Sequence, residues 1–121
     1  MTLVKSDKEV LAELEKASAG LFVMSESDYP FELVSWDGKV QITPEYLKRI
    51  SDKPDDCTIE EVEVDRFFHA GGQFGDLAKL VKDRLSDLKV YKVGTINIPV
   101  YIVGRSAEGN WLGLSTRLVQ T

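Results

Sequence analysis

Apolar positions recur along the chain in two rhythms, steps of three and four in some stretches and short strand-forming runs in others. Ser6-Asp7-Lys8-Glu9 reads as a capping box, with Ser6 and Glu9 satisfying each other's backbone amides. Val10, Leu11, Leu14 and Ala17 follow at helical spacing, so a first helix is predicted to run to about Ser18 and to stop at Gly20. Residues 31–36, Phe-Glu-Leu-Val-Ser-Trp, are rich in strand formers and close at Asp37-Gly38, where glycine is available for positive φ. Thr43-Pro44 supplies an N-cap with proline at the first helical position, which predicts a short second helix burying Tyr46, Leu47 and Ile50. In residues 59–65, Val62 and Val64 alternate with Glu61, Glu63 and Asp65, the pattern of a strand with an acidic face in water. Asp76 then caps a third helix of about thirteen residues carrying Leu77, Leu80, Val81, Leu85 and Leu88. Residues 90–93, 98–103 and 111–119 read as three strands joined by turns at Gly94 and at Glu108-Gly109-Asn110, an antiparallel meander. The element order α, β, α, β, α, β, β, β implies an α+β domain with a mixed, mainly antiparallel sheet and helices on its faces.

Two features break this regular pattern. Ser25-Glu26-Ser27-Asp28 is a polar knot between the apolar run of residues 21–24 and the strand that begins at Phe31, and Pro30 keeps Tyr29 out of helical geometry. Physics alone leaves it open between an ordinary turn, with Ser and Asp capping backbone amides, and a functional loop. The second feature is the end of the chain. Strand formers continue through Ser115-Thr116-Arg117-Leu118-Val119 almost to Thr121, so the final carboxylate is expected to be held close to the sheet.

Length and charge narrow the classes. At 121 residues the chain is expected to form a single domain spanning residues 1–121, with a core that needs neither metal nor disulfide. No stretch approaches the ~18 uninterrupted apolar residues of a membrane helix. The first nine residues lack the apolar block of a signal peptide and there is a single Cys57, so a cytoplasmic protein without a membrane association is expected. The net charge of −5 opposes direct binding to a nucleic-acid backbone and would attract a basic partner.

Conventional catalytic signals are weak. His69 is the only histidine and has no second His, Cys or clear carboxylate partner. Cys57 has no nucleophile signature around it. The stretch Gly71-Gly72-Gln73-Phe74-Gly75 lacks the Lys and Ser/Thr of a phosphate-binding loop and the spacing of a dinucleotide fingerprint. Glu60, Glu61, Glu63 and Asp65 read as a solvated face, and Asp52, Asp55 and Asp56 lack calcium-loop spacing.

The blocks Leu21-Phe22-Val23-Met24-Ser25-Glu26-Ser27-Asp28-Tyr29-Pro30-Phe31-Glu32, Val64-Asp65-Arg66-Phe67-Phe68, and residues 90–91, 100–104 and 113–121 carry a resemblance. Over most of its length the chain resembles the nuclease A inhibitor family, small cytoplasmic proteins that block a sugar-nonspecific, magnesium-dependent nuclease. The resemblance implies a three-layer α/β/α sandwich of the pathogenesis-related-protein-1-like type. It also implies a non-enzymatic protein that occupies the active site of a basic nuclease, with Thr121 reaching the partner's metal and Glu26 contributing to the interface. Ser25, Ser27, Asp28 and Gln120, which flank those two residues, complete the expected contact set. No cofactor of the chain's own is implied, since the Mg²⁺ belongs to the partner. One departure stands out: between the Phe-Phe pair and the third helix the family pattern has a longer, acidic, tryptophan-bearing insertion. This chain has only residues 69–75 there, with Phe74 as the sole aromatic, and the tryptophan's role is not carried over to it. The competing expectations are a same-fold module that binds a different protein, and a hydrolase or metal enzyme using the acidic residues.

Overall fold

Helix α1 (Asp7–Ser18) starts where its capping box puts it: Ser6 Oγ accepts from the Glu9 amide at 3.3 Å and Glu9 Oε1 accepts from the Ser6 amide at 3.3 Å. The computed structural model describes residues 6–23, 29–51, 53, 57–68, 74–95 and 97–119, the side chains of Phe22 and Val23 excepted. Val10, Leu14 and Ser18, four residues apart, form the buried stripe of α1. Two short strands follow, β1 (Phe22–Val23) and β2 (Tyr29–Pro30), and then β3 (Glu32–Trp36). Helix α2 (Pro44–Ile50) is capped by Thr43, whose Oγ1 accepts from the Tyr46 amide at 3.1 Å. Strand β4 (Ile59–Val62), helix α3 (Val64–Phe68) and helix α4 (Gly75–Arg84) lead into the meander of β5 (Ser86–Val93), β6 (Asn97–Arg105) and β7 (Trp111–Val119).

The five-stranded sheet has the order β3-β7-β6-β5-β4, and every pairing in it is antiparallel. The expected mixed sheet is therefore corrected. Strands β3 and β4, joined through α2, do run in the same direction, as a crossover requires. The meander β5–β7 is inserted between them, so they occupy opposite edges and never share a ladder.

Alternation along β6 divides the core. Val100 and Ile102 face a cluster with Leu14 of α1, Phe68 of α3 and Val81 of α4. Tyr101 and Val103 face the other way, with Leu47 of α2, Val93 and the half-buried Trp36. The β6–β7 turn passes through Gly109 at φ +88°, and Gly113 lets β7 approach β6 so closely that a Cβ there would strike the Ile102 carbonyl.

Three elements differ from the sequence expectation. Helix α3 replaces the end of the predicted acidic strand: Val64 and Phe68 are both buried one helical turn apart, and the strand stops at Val62. Helix α4 is ten residues long, with Phe74 rather than Asp76 at its N-cap. Its expected last turn unwinds because the chain enters β5 at Ser86, where a bulge places Asp87 at φ +50°. Leu88, spaced as if helical, packs against the larger core from that strand.

Candidate functional site

Strands β1 and β2 pair antiparallel, Phe22 with Pro30 and Val23 with Tyr29. They are the two stems of the segment 24–28. Beyond β2, Phe31 turns into the core, its ring 6.1 Å from that of Phe68 and 5.9 Å from that of Phe74. Thr116 of β7 holds β2 from the sheet side: its buried Oγ1 donates to the Pro30 carbonyl at 3.0 Å and lies 3.5 Å from the Tyr29 carbonyl. One residue further on, Glu32 begins the β3–β7 ladder opposite Ser115.

The direction of travel follows from this register. Strand β7 runs from Trp111 opposite Trp36 to Ser115 opposite Glu32, and the chain read backwards from Glu32 through Pro30 and Tyr29 continues toward the end of β7. That end is fixed in the sheet, Val119 pairing with Asn97 of β6. Asn97 is itself pinned from two sides, its Oδ1 accepting from Arg117 at 2.9 Å and its carbonyl from Lys53 Nζ at 2.7 Å. The predicted continuation of the last strand to residue 119 is thus observed. Ser25, Glu26, Ser27, Asp28, Gln120 and Thr121 lie outside the described residues, as does His69. What the structure brings together is their attachment points, β2 and the final residues of β7.

A groove of about 300 Å³ opens on the same part of the sheet, lined by Tyr29, Pro30, Glu32, Pro99, Tyr101, Ser115, Thr116 and Arg117. It exists because Ser115 is small. In the cross-strand row Glu32–Ser115–Tyr101–Tyr91–Glu61 all five side chains share one sheet face, and the serine leaves a depression between a carboxylate and an aromatic ring. The Tyr101 hydroxyl lies 2.7 Å from Ser51 Oγ, which fixes its ring. Burial, with Glu61 assisting and Lys89 opposing, pushes the Tyr91 hydroxyl above the ordinary tyrosine range, so it is neutral at physiological pH. The meeting of Glu32 with Ser115 could not be read from spacing, because it arises only through strand pairing.

The acidic stretch has no common face. Glu60 and Glu61 occupy successive positions of an edge strand and reach Lys92 at 3.9 Å and Lys89 at 3.7 Å, while Asp65 in α3 pairs with Lys82 at 2.8 Å. Among the described residues there is no group of three or more His, Cys, Asp and Glu side chains placed to hold a metal ion. Cys57 is a half-buried free thiol against the smaller core cluster. No helix among the described residues is long and apolar enough to cross a membrane.

A family model described as nuclease A inhibitor-like protein matches residues 8–121, which includes both stems, the groove and the whole meander. The chain belongs to the nuclease A inhibitor-like family. A search of curated proteins finds no match. Membership of this family gives the convergence at the end of β7 a context, because the family description names an inhibitor and an inhibitor acts through a surface it presents to another protein.

Proposed function

We propose that the chain is a non-catalytic protein inhibitor of a basic, sugar-nonspecific, magnesium-dependent nuclease, acting in the cytoplasm on the nuclease itself and not on nucleic acid. The observation that carries this is the convergence of the two attachment points: β2, which leads back into the segment holding Glu26, lies against Thr116 near the end of β7, which leads on to Thr121. Both segments leave from backbone that is hydrogen-bonded into the sheet, and ordered attachment points lower the entropy cost of binding. In this proposal Thr121 offers an oxygen donor that competes with substrate phosphate at the partner's metal, and Glu26 anchors beside it with Ser25, Ser27, Asp28 and Gln120 around them. The helices on both faces of the sheet support the further proposal of a three-layer α/β/α sandwich of the pathogenesis-related-protein-1-like type.

The test is a titration of the full chain into a magnesium-dependent nuclease assay. Deleting Thr121 or appending a C-terminal tag is expected to weaken inhibition by orders of magnitude, and Glu26→Gln to weaken it measurably. Equal titration curves for the intact and the truncated chain would overturn the mechanism.

A further inference from the structure

We propose that the groove between β2–β3 and the end of β7 is a receptor for one arginine side chain of the partner nuclease, with the Glu32 carboxylate as its anchor; this rests on the inhibitor function proposed above. Three observations select the occupant. First, of the two charged side chains in the groove, Arg117 is held away by its donation to Asn97 Oδ1 at 2.9 Å, whereas the Glu32 carboxylate is exposed and has no side-chain hydrogen bond or ion pair among the described residues. Second, beside Ser115, Thr116 and Arg117 the walls carry flat surfaces, Pro30, Pro99 and the rings of Tyr29 and Tyr101. A guanidinium group stacks on aromatic faces, is weakly hydrated and matches a carboxylate with two parallel hydrogen bonds, while a lysine ammonium keeps its water and gains little from flat walls. Third, the groove is continuous with the proposed contact. Tyr29 and Pro30 are the stem of segment 24–28 and Arg117 lies two residues before Val119, so a partner meeting both ends covers the groove as well. The chain's charge of −5 favours a cationic visitor.

The interface then has a built specificity element. A partner that places an arginine at this position gains a buried, hydrogen-bonded ion pair, and one that places a carboxylate there meets Glu32 with like charge.

The experiment pairs substitutions on both sides. Glu32→Gln is made in the full chain with its C-terminus free, and the arginines around the active-site rim of a magnesium-dependent, sugar-nonspecific nuclease are changed singly to Ala. Dissociation constants come from calorimetry and inhibition from activity titration. The expected result is about tenfold weaker binding for Glu32→Gln with an unchanged thermal midpoint, and about a hundredfold for Glu32→Lys. One rim Arg→Ala variant should weaken binding to the wild type while leaving binding to Glu32→Gln unaffected. If the wild type inhibits and both Glu32 variants inhibit equally well, the groove is not a contact and this proposal falls while the inhibitor function stands. Weakened binding by Glu32→Gln with no rim arginine coupled to it overturns the arginine assignment. Failure of the wild type to bind or inhibit overturns the inhibitor function and the groove with it.

Discussion

Gly113 shows how much one missing methyl group can decide. A Cβ at this position would collide with the Ile102 carbonyl in the middle of the β6–β7 ladder, where backbone on both sides leaves no flexible atom to move. Gly113→Ala is therefore expected to destabilise the protein by about 2–3 kcal/mol, read as a lower urea midpoint with an unchanged slope. Gly38 is a related case. Its glycine suggests positive φ from sequence, but its φ is ordinary, and space is what it supplies, since a Cβ would strike the Gly109 carbonyl. Asp7 decides something different. Burial works to raise its carboxyl, but the polar groups of Ser106, Asn110 and Glu108 outweigh burial and hold it below the ordinary aspartate range. Of these, Asn110 Nδ2 has clear hydrogen-bond geometry, donating to Oδ2 at 2.7 Å, while Oδ1 is buried without a partner among the described residues. A carboxyl depressed in the folded state adds stability that is complete above its unfolded value near pH 4 and is lost as pH falls through the lower folded value. Asp7→Asn should lower stability at pH 7 and flatten its decline below about pH 4; an unchanged acid branch would show that Asp7 is not the group that titrates.

At the scale of elements, the fold was legible wherever a local signal and the tertiary structure agreed. The capping box at Ser6, the Thr43-Pro44 start and the strand propensity of residues 111–119 each give the observed element within a residue or so. Helix α3 was not legible because five residues are too few to show a period, although Val64 and Phe68 at a spacing of four were the available sign. The end of α4 was misread because Leu85 and Leu88 keep a helical step of three, although Leu85 is the C-cap of α4 and Leu88 lies in β5 at the bulge, and only pairing with β6 selects the strand. The candidate site was half legible. Its two segments stood out in sequence, whereas the approach of their attachment points depends on the β3–β7 register, a long-range pairing with no local signature. Thr116 is the link between them. Thr116→Val keeps its shape but leaves the Pro30 carbonyl without its donor, so stability should fall by about 1–2 kcal/mol. Inhibition should suffer as well, by roughly tenfold, because the stem of segment 24–28 is released from β7. A loss of stability with full inhibition would mean that this tie does not position the contact.

For the whole molecule, the question is whether its negative charge acts as a diffuse field or through the end of the sheet where β2 and β7 meet. The chain has 20 acidic and 15 basic residues, and on the β4 edge the acids are matched: Glu60 faces Lys92 and Glu61 reaches Lys89 diagonally across the strands. Such exposed pairs contribute little to stability and cancel much of each other's field within a Debye length of about 8 Å. Glu32, at the opposite edge of the sheet, has no such counterpart among the described residues. A basic partner steered by the summed field should associate faster at low salt, with the rate constant falling roughly tenfold or more between about 50 and 500 mM ionic strength while dissociation changes much less. If steering is local, Glu32→Gln should lower that rate constant and reduce its salt dependence. The double change Glu60→Gln with Glu61→Gln removes twice the charge from the far edge, yet it should leave the rate almost unchanged. Stopped-flow association over a salt series distinguishes the two cases. A larger effect from the double variant than from Glu32→Gln would show that net charge governs the encounter, and a rate constant independent of salt would show that the charge plays no part in it.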